Sequence, residues 1–183
     1  MKKNFVLVGL FFVLSNAAIA QKFFTKNGNI SFFSTTSLEN IKADNNQVMS
    51  VMNPATGEMQ FSVLVKSFHF KKALMEEHFN ENYLESDKFP KSTFKGTIAD
   101  ISKVNFSKDG TYPVTVSGDL TIHGITKKIT TAGDININGG KITGKSVFKV
   151  ALADYSITVP RVVEANISKT IEITVNCLYD QKM

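Results

Sequence analysis

Hydrophobic and polar residues alternate along most of the chain, and residues 114–124 show the pattern most clearly. The apolar row of that segment consists of Val114, Val116, Gly118, Leu120 and Ile122. The residues between them are polar, from Thr115 to His123. Because successive side chains of a strand point to opposite faces, the segment predicts a strand with one apolar and one polar face.

Glycine recurs within the apolar rows of several such segments, at Gly96, Gly118, Gly133 and Gly144. A strand interior normally avoids glycine, unless the sheet bends there or another group approaches closely. The repetition therefore predicts a curved sheet around an interior space. The glycines either only bend the strands so that the sheet closes, or they also leave volume for a guest molecule, and the two roles are compatible.

The same alternation predicts strands elsewhere in the chain. They cover residues 28–36, 47–53, 58–70, a segment after Pro90, 127–137, 142–152 and 170–179. Between residues 71 and 84 the period changes, because Leu74, Met75, His78 and Phe79 recur at helical spacing. The pattern predicts an all-β fold of roughly eight mainly antiparallel strands with one short helical insert. At that strand number a closed barrel can hold one ligand.

The first twenty residues have the pattern of a cleavable secretory signal. Lys2 and Lys3 precede an apolar run over residues 5–14, and Ala18-Ile19-Ala20 is a small-residue cleavage site. The run is shorter than the about 20 residues that a membrane-spanning helix needs. We therefore predict a signal peptide over residues 1–20 and one domain over residues 21–183, exported to the periplasm or secreted, without stable membrane insertion.

Charge and cysteine content narrow the function further. Without Lys2 and Lys3, 19 basic and 16 acidic residues give a net charge of +3, and the basic residues are dispersed rather than grouped in a stripe. Nucleic-acid binding is therefore not expected. Cys177 is the single cysteine and lies in phase with the apolar residues of its strand. We interpret it as a small buried residue, with a reactive thiol as the alternative.

Motifs for catalysis are absent from the sequence. It has no G-x-S-x-G elbow, no H-E-x-x-H pair and no phosphate-binding glycine loop. His69, His78 and His123 fall on three different predicted elements without a local i, i+4 pair. We therefore predict no enzyme activity, no cofactor and no metal site.

Four sequence blocks resemble the YceI-like family. They read H-F-N-E-N-Y-L-E-S-D-K-F-P at 78–90, S-T-F-K-G-T-I at 92–98, G-D-L-T-I-H-G-I-T-K-K-I at 118–129 and D-Y-S-I at 154–157. The resemblance covers nearly the whole of residues 21–183. It implies a lipocalin-like antiparallel barrel in the bacterial periplasm or extracellular space. It also implies an elongated apolar tunnel that holds an isoprenoid or other long-chain lipid, often in a dimer, so a homodimer is a possible assembly.

The chain departs from the family pattern in two places. Family members often carry Arg-x-Asp-Phe-Gly-Ile where this chain has Leu-Ala-Asp-Tyr-Ser-Ile at 152–157, so the arginine and the glycine are missing. The helical insert before Pro90 also differs in detail. We expect both departures near the mouth of the tunnel.

The resulting hypothesis is an exported binding protein, not an enzyme, that sequesters or carries a long-chain apolar lipid in the barrel interior. The predicted tunnel lining comprises Phe61, Val63, Val65, Phe68, Leu74, Met75, Phe79, Phe94, Ile98, Val116, Gly118, Leu120, Ile122, Phe148, Val150, Ile173 and Val175. We expect residues 74–84 to form a gate or wall over one tunnel end, with a core-plugging helix as the alternative. The alternative functions are a structural or stress-response barrel with a filled core, and a metal-dependent enzyme.

Overall fold

Alternating apolar residues form ten strands in the computed structural model, which describes residues 21–183. The strands are β1 (Phe23–Thr35), β2 (Asn40–Met52), β3 (Glu58–Leu64), β4 (His69–Phe70), β5 (Lys91–Ile98), β6 (Gly110–Ile122), β7 (Ile125–Asn138), β8 (Lys141–Ala151), β9 (Thr170–Tyr179) and β10 (Gln181–Lys182). Among these residues there is one α-helix, α1 (Ala73–His78), which continues into a π-helical turn at Phe79–Tyr83. The predicted signal peptide lies outside the described residues.

Eight of the strands close into an antiparallel barrel. Their order is β1–β2–β3–β5–β6–β7–β8–β9, and β9 pairs with β1 to complete the ring. The two short strands are additions, because β4 pairs with β2 and β10 with β1. The predicted fold class is therefore confirmed, including the short helical insert. No helix of residues 21–183 is long and apolar enough to cross a membrane.

Three predicted strands differ from the structure by several residues. Strand β1 begins at Phe23 rather than at residue 28. Strand β2 begins at Asn40 rather than at residue 47. The prediction missed its first seven residues, because the buried polar side chain of Asn45 interrupts the apolar alternation. Asn45 is fully buried, and its side-chain amide donates to the carbonyl oxygen of Leu64 at 2.9 Å. The predicted strand over residues 58–70 is broken at Val65–Ser67, where the chain forms a 3-10 turn.

Buried apolar side chains form two separate clusters. One cluster, here the closed-end cluster, contains Phe23, Ala43, Val48, Met52, Met59, Val63, Phe68, Ile98, Val104, Ile135, Ile137, Ile142, Cys177 and Tyr179. The other, here the mouth-end cluster, contains Val65, Leu84, Leu120, Val150, Tyr155, Ile157 and Ile171. Because the strands are antiparallel, the turns at 53–57 and 139–140 lie at the same end of the barrel. The closed-end cluster lies towards that end, and the mouth-end cluster lies towards the opposite end.

Three of the four in-row glycines permit close approach of neighbouring groups. Gly96 and Gly118 are direct partners across β5 and β6. A Cβ atom added to Gly118 would lie 2.4 Å from the Cα of Gly96 and 2.7 Å from the ring of Phe94. A Cβ at Gly133 would lie 2.7 Å from the carbonyl oxygen of Lys145. These positions exclude side chains because backbone or a ring occupies the space, so they do not supply room for a guest.

Candidate ligand-binding site

The barrel encloses a cavity of about 420 Å³. All eight barrel strands contribute side chains to its wall, and members of both buried clusters line it. Cavities that bind small molecules typically measure about 300–1,000 Å³ and are mostly apolar. The interior is therefore large enough to take a ligand.

Phenylalanine supplies all the aromatic rings of the cavity wall except those of His78, Tyr83 and Tyr155. Seven phenylalanines line it: Phe32, Phe61, Phe68, Phe70, Phe79, Phe94 and Phe148. Four of them pack together near the helical insert, with ring centroids 5.1–5.6 Å apart. The pairs are tilted, edge-to-face or stacked, and such arrangements are favourable for aromatic rings. The wall therefore offers extensive apolar surface and few hydrogen-bonding groups.

The structure brings most of the predicted lining residues together. Fourteen of them line the cavity: Phe61, Val63, Val65, Phe68, Met75, Phe79, Phe94, Val116, Leu120, Ile122, Phe148, Val150, Ile173 and Val175. Their position follows from the alternation of strand residues, which sends every second side chain into the barrel. That any of them contacts a ligand stays a prediction.

Three predicted lining residues do not line the cavity. Leu74 is 60% exposed, because it lies on the outer side of α1 while Met75 and Phe79 face inward. Ile98 is buried in the closed-end cluster, because β5 ends there and the turn at Gly57 packs against it. Gly118 faces the interior, but the ring of Phe94 covers it.

The sequence pattern did not reveal the part of the cavity wall that segments without regular secondary structure form. Tyr155 and Ile157 are buried at the mouth end, and Val163, Asn166 and Ile167 also line the cavity. Residues 152–168 have no period of 2 or 3.6, so the sequence pattern gave no sign of their orientation. Ile30 and Phe32 were detectable, since they lie in phase on β1.

Three segments meet at the mouth of the cavity, through the carboxylate of Glu39. The Nζ atom of Lys72 lies 3.0 Å from Glu39 Oε1, and the side-chain amide of Asn166 donates to Glu39 Oε2 at 3.2 Å. These hydrogen bonds and the charge of Lys72 hold the pKa of Glu39 below its ordinary value. We call residues 36–42, 71–79 and 158–169 the mouth segments.

His123 joins three of the sequence blocks that suggested the family. Its Nε2 atom lies 2.7 Å from Glu85 Oε2, and its Nδ1 atom lies 3.1 Å from the carbonyl oxygen of Tyr155. The ring of Phe89 packs edge-on against the imidazole, with centroids 4.8 Å apart. His123 therefore holds the chain that carries Tyr155 against the end of the helical insert. Burial raises the pKa of the Tyr155 hydroxyl, and the charge of Asp154 acts in the same direction.

A polar strip interrupts the apolar wall where β7 and β8 separate. The two strands pair from Gly133–Ser146 to their hairpin and not beyond. The hydroxyl of Ser146 donates to the carbonyl oxygen of Ala132 at 2.7 Å and lies 3.3 Å from the hydroxyl of Thr131. These hydroxyl groups satisfy backbone that the ladder leaves unpaired, so the strip is explained by the strand geometry.

Residues 21–183 hold no group of three His, Cys, Asp or Glu side chains that could share a metal ion. Cys177 is fully buried, and burial raises its pKa to about 12. Its thiol therefore stays protonated at neutral pH and packs as a small apolar group, as the sequence phase indicated.

Comparison with known proteins identifies the domain type. The model of the YceI-like domain matches residues 18–178. A polyisoprenoid-binding domain from Saccharophagus degradans, implicated in plant cell wall breakdown, has a TM-score of 0.75 at 15% identity and covers 87% of this chain and 97% of that chain. BcnA from Burkholderia cenocepacia has a TM-score of 0.70 at 17% identity, over 82% and 95% of the two chains. A Campylobacter jejuni YceI protein has a TM-score of 0.57 at 15% identity, over 100% of both chains.

At these identities the similarities to solved structures show a shared barrel fold. No curated protein sequence matches the chain.

Proposed function

The chain belongs to the YceI-like family, and from that premise we propose that it binds a long-chain apolar lipid of the isoprenoid type inside its barrel. The observation that carries the proposal is the cavity of about 420 Å³, lined by seven phenylalanines and by aliphatic residues from every barrel strand except β5. A hydrocarbon chain needs apolar contact and no hydrogen bonds, and the wall supplies that.

The energetics of chain burial support an aliphatic ligand. Burial of one methylene group contributes about 0.8 kcal/mol, so ten buried carbons contribute about 8 kcal/mol. Binding also costs several kcal/mol in lost translational, rotational and conformational freedom. A short apolar molecule would therefore bind weakly, and a long chain that fills the cavity would bind well.

The ligand class is supported by the polyisoprenoid-binding domain of Saccharophagus degradans, whose barrel this chain shares. The filled-core alternative is disfavoured by the volume of the cavity. We also propose that the protein acts by binding rather than by catalysis, and that it is exported after removal of residues 1–20. A homodimer stays a prediction.

Native mass spectrometry tests the proposal, first on the protein as it is isolated from its own host and then on delipidated protein mixed with a polyprenol. We expect a co-purifying apolar mass and re-binding of the polyprenol. Val116→Phe, which adds volume to the cavity wall, should abolish re-binding. Thr115→Phe is the matched control, because Thr115 lies next to Val116 on the exposed face of β6. Polyprenol binding that is absent from wild type, or equal in both variants, would refute the proposal.

A further inference from the structure

Exposed aliphatic side chains are concentrated at the mouth of the cavity. Leu38 is 67% exposed, Leu74 is 60% exposed and Val162 is 91% exposed. Apart from Met183 at the C-terminus, these are the most exposed large apolar side chains of residues 21–183. One lies on each mouth segment, and we call them the apolar tips. None of them lines the cavity, so neither packing nor ligand contact explains why they are apolar.

The contacts of Glu39 join the three mouth segments that carry the apolar tips. Leu38 immediately precedes Glu39 in the chain. Lys72 pairs with Glu39, and Leu74 lies two residues after Lys72. The third tip is joined through Asn166, whose side chain donates to Glu39 and whose backbone N–H donates to the carbonyl oxygen of Val163 at 2.9 Å. Each of the three mouth segments therefore carries one apolar tip at the end of the barrel where Glu39 joins them.

In the described part of the chain, two cations and one carboxylate of the mouth segments form no ion pair, the carboxylate being that of Glu77. The mouth segments contain five basic residues (Lys42, Lys71, Lys72, Arg161 and Lys169) and four acidic residues (Glu39, Glu76, Glu77 and Glu164). Three of the basic residues form ion pairs, with Asp44, Glu39 and Glu164. Within the described part of the chain, no carboxylate lies within 4 Å of the other two, which are Lys71, near Leu74, and Arg161, next to Val162.

We propose that the cavity mouth docks on a lipid bilayer that carries anionic head groups. The apolar tips insert at the boundary between head groups and acyl chains, and Lys71 and Arg161 contact lipid phosphate groups. Aliphatic residues combined with Lys and Arg are the composition of surfaces that bind membrane interfaces. This inference rests on the proposed function: an isoprenoid chain dissolves poorly in water, so a mouth held against the bilayer lets it pass between membrane and cavity without exposure to water.

Vesicle flotation tests the docking surface with two sets of matched variants. The tip variant is Leu38→Ser, Leu74→Ser and Val162→Ser combined. Its control is Met49→Ser, Val147→Ser and Leu178→Ser, which removes exposed apolar side chains from the outward faces of three strands. On vesicles of phosphatidylcholine and phosphatidylglycerol, the tip variant should bind about tenfold or more weakly than wild type, because it removes three aliphatic groups that would leave water. The control should bind like wild type.

A second comparison tests the charges. Lys71→Gln combined with Arg161→Gln should abolish any preference for vesicles with phosphatidylglycerol over vesicles of phosphatidylcholine alone. Wild type that does not bind vesicles, or a tip variant equal to its control, would overturn the proposal. A dimer that the tip variant disrupts, without vesicle binding by wild type, would also overturn it and assign the surface to a second copy of the chain.

Polyprenol uptake from detergent micelles, measured by native mass spectrometry, separates this inference from the proposed function. The tip variant should keep that uptake, because the tips do not line the cavity. Uptake from micelles with no vesicle binding refutes the docking surface alone. Failure of wild type to take up polyprenol from micelles refutes the lipid-binding function.

Discussion

The two ends of the barrel are built from strands with the same apolar alternation, yet they differ in packing. At the closed end Val48, Met52 and Cys177 are fully buried, and the hydroxyls of Ser50 and Tyr179 lie 2.9 Å apart in the interior. At the mouth end some inward-facing side chains, such as Met75, Phe79 and Phe148, are only half-buried, and the apolar tips are exposed.

The difference arises from the segments that cross each end. At the closed end the segment after β5 places Val104 and Phe106 on the interior, and Phe106 packs against Phe23 with ring centroids 5.6 Å apart. At the mouth end α1 and residues 152–168 surround the cavity instead of filling it. Close packing is therefore concentrated at one end of the barrel, and unfilled interior space at the other.

The largest expected effect is the difference in stability loss when methionine is replaced by alanine at each end of the barrel. Met52→Ala removes a fully buried side chain from the closed-end cluster and should lower the free energy of unfolding by about 2–5 kcal/mol. Met75→Ala at the mouth removes a half-buried side chain and should cost less than about 1 kcal/mol. Urea-induced unfolding measures both. Equal costs would show that the two ends are packed alike.

Substitution of two glycines by leucine distinguishes a position that neighbouring groups already fill from one that borders the cavity. Gly118→Leu should lower the free energy of unfolding by about 1–3 kcal/mol through overpacking, because a Cβ there already meets Gly96 and the ring of Phe94. Gly144→Leu should cost less, because its Cβ would lie 3.4 Å from the nearest side-chain atom and the remainder can extend into the cavity.

Thermal unfolding and polyprenol uptake, measured together, distinguish the two glycine variants. The Gly144 variant should lose uptake and keep most of its stability. If Gly118→Leu leaves both quantities unchanged, the residue does not face the packed interior.

The role of the helical insert is tested by two substitutions on its inward face. Met75→Ser should weaken polyprenol binding by about threefold to tenfold, which corresponds to the loss of one to two buried methylene groups. The melting temperature should change little. Phe79→Ser should lower both affinity and melting temperature, because Phe79 packs against Phe32, Phe68 and Phe70. A large loss of stability in Met75→Ser, with affinity intact in the folded fraction, would assign the insert to the core rather than to a gate.

The smallest expected effect concerns the ionisation of Glu39. Since the folded state lowers its pKa, its ion pair with Lys72 contributes stability above the ordinary carboxyl pKa, and this contribution is lost as the pH falls through the folded value. Glu39→Gln should therefore lose less stability than wild type between pH 7 and pH 3. The pair is partly exposed to solvent, so the difference is small. Identical pH dependence of the two melting temperatures would exclude this contribution.

Strand residues were the most predictable part of the cavity. Period-2 alternation identified the inward rows of β3, β6, β8 and β9, because a side chain's face in a strand depends on its position alone. The rule covers neither helices nor the depth of a residue along the barrel, and the errors have these two causes. Leu74 belongs to a helix one turn and a half long, for which spacing does not decide which side meets the barrel. Ile98 faces inward as predicted, but it lies at the closed end of the barrel, where the segment with Val104 and Phe106 fills the interior.

Local sequence pattern by itself determined that this chain forms an antiparallel barrel with a largely apolar interior, because alternation and turn residues act between near neighbours. Only the tertiary structure decided which end is closed and which is open. That outcome depends on contacts between residues far apart in the chain, such as Glu39 with Asn166 and His123 with Tyr155. Irregular segments carry no period that records such contacts, so their placement emerges when the barrel closes and brings them together.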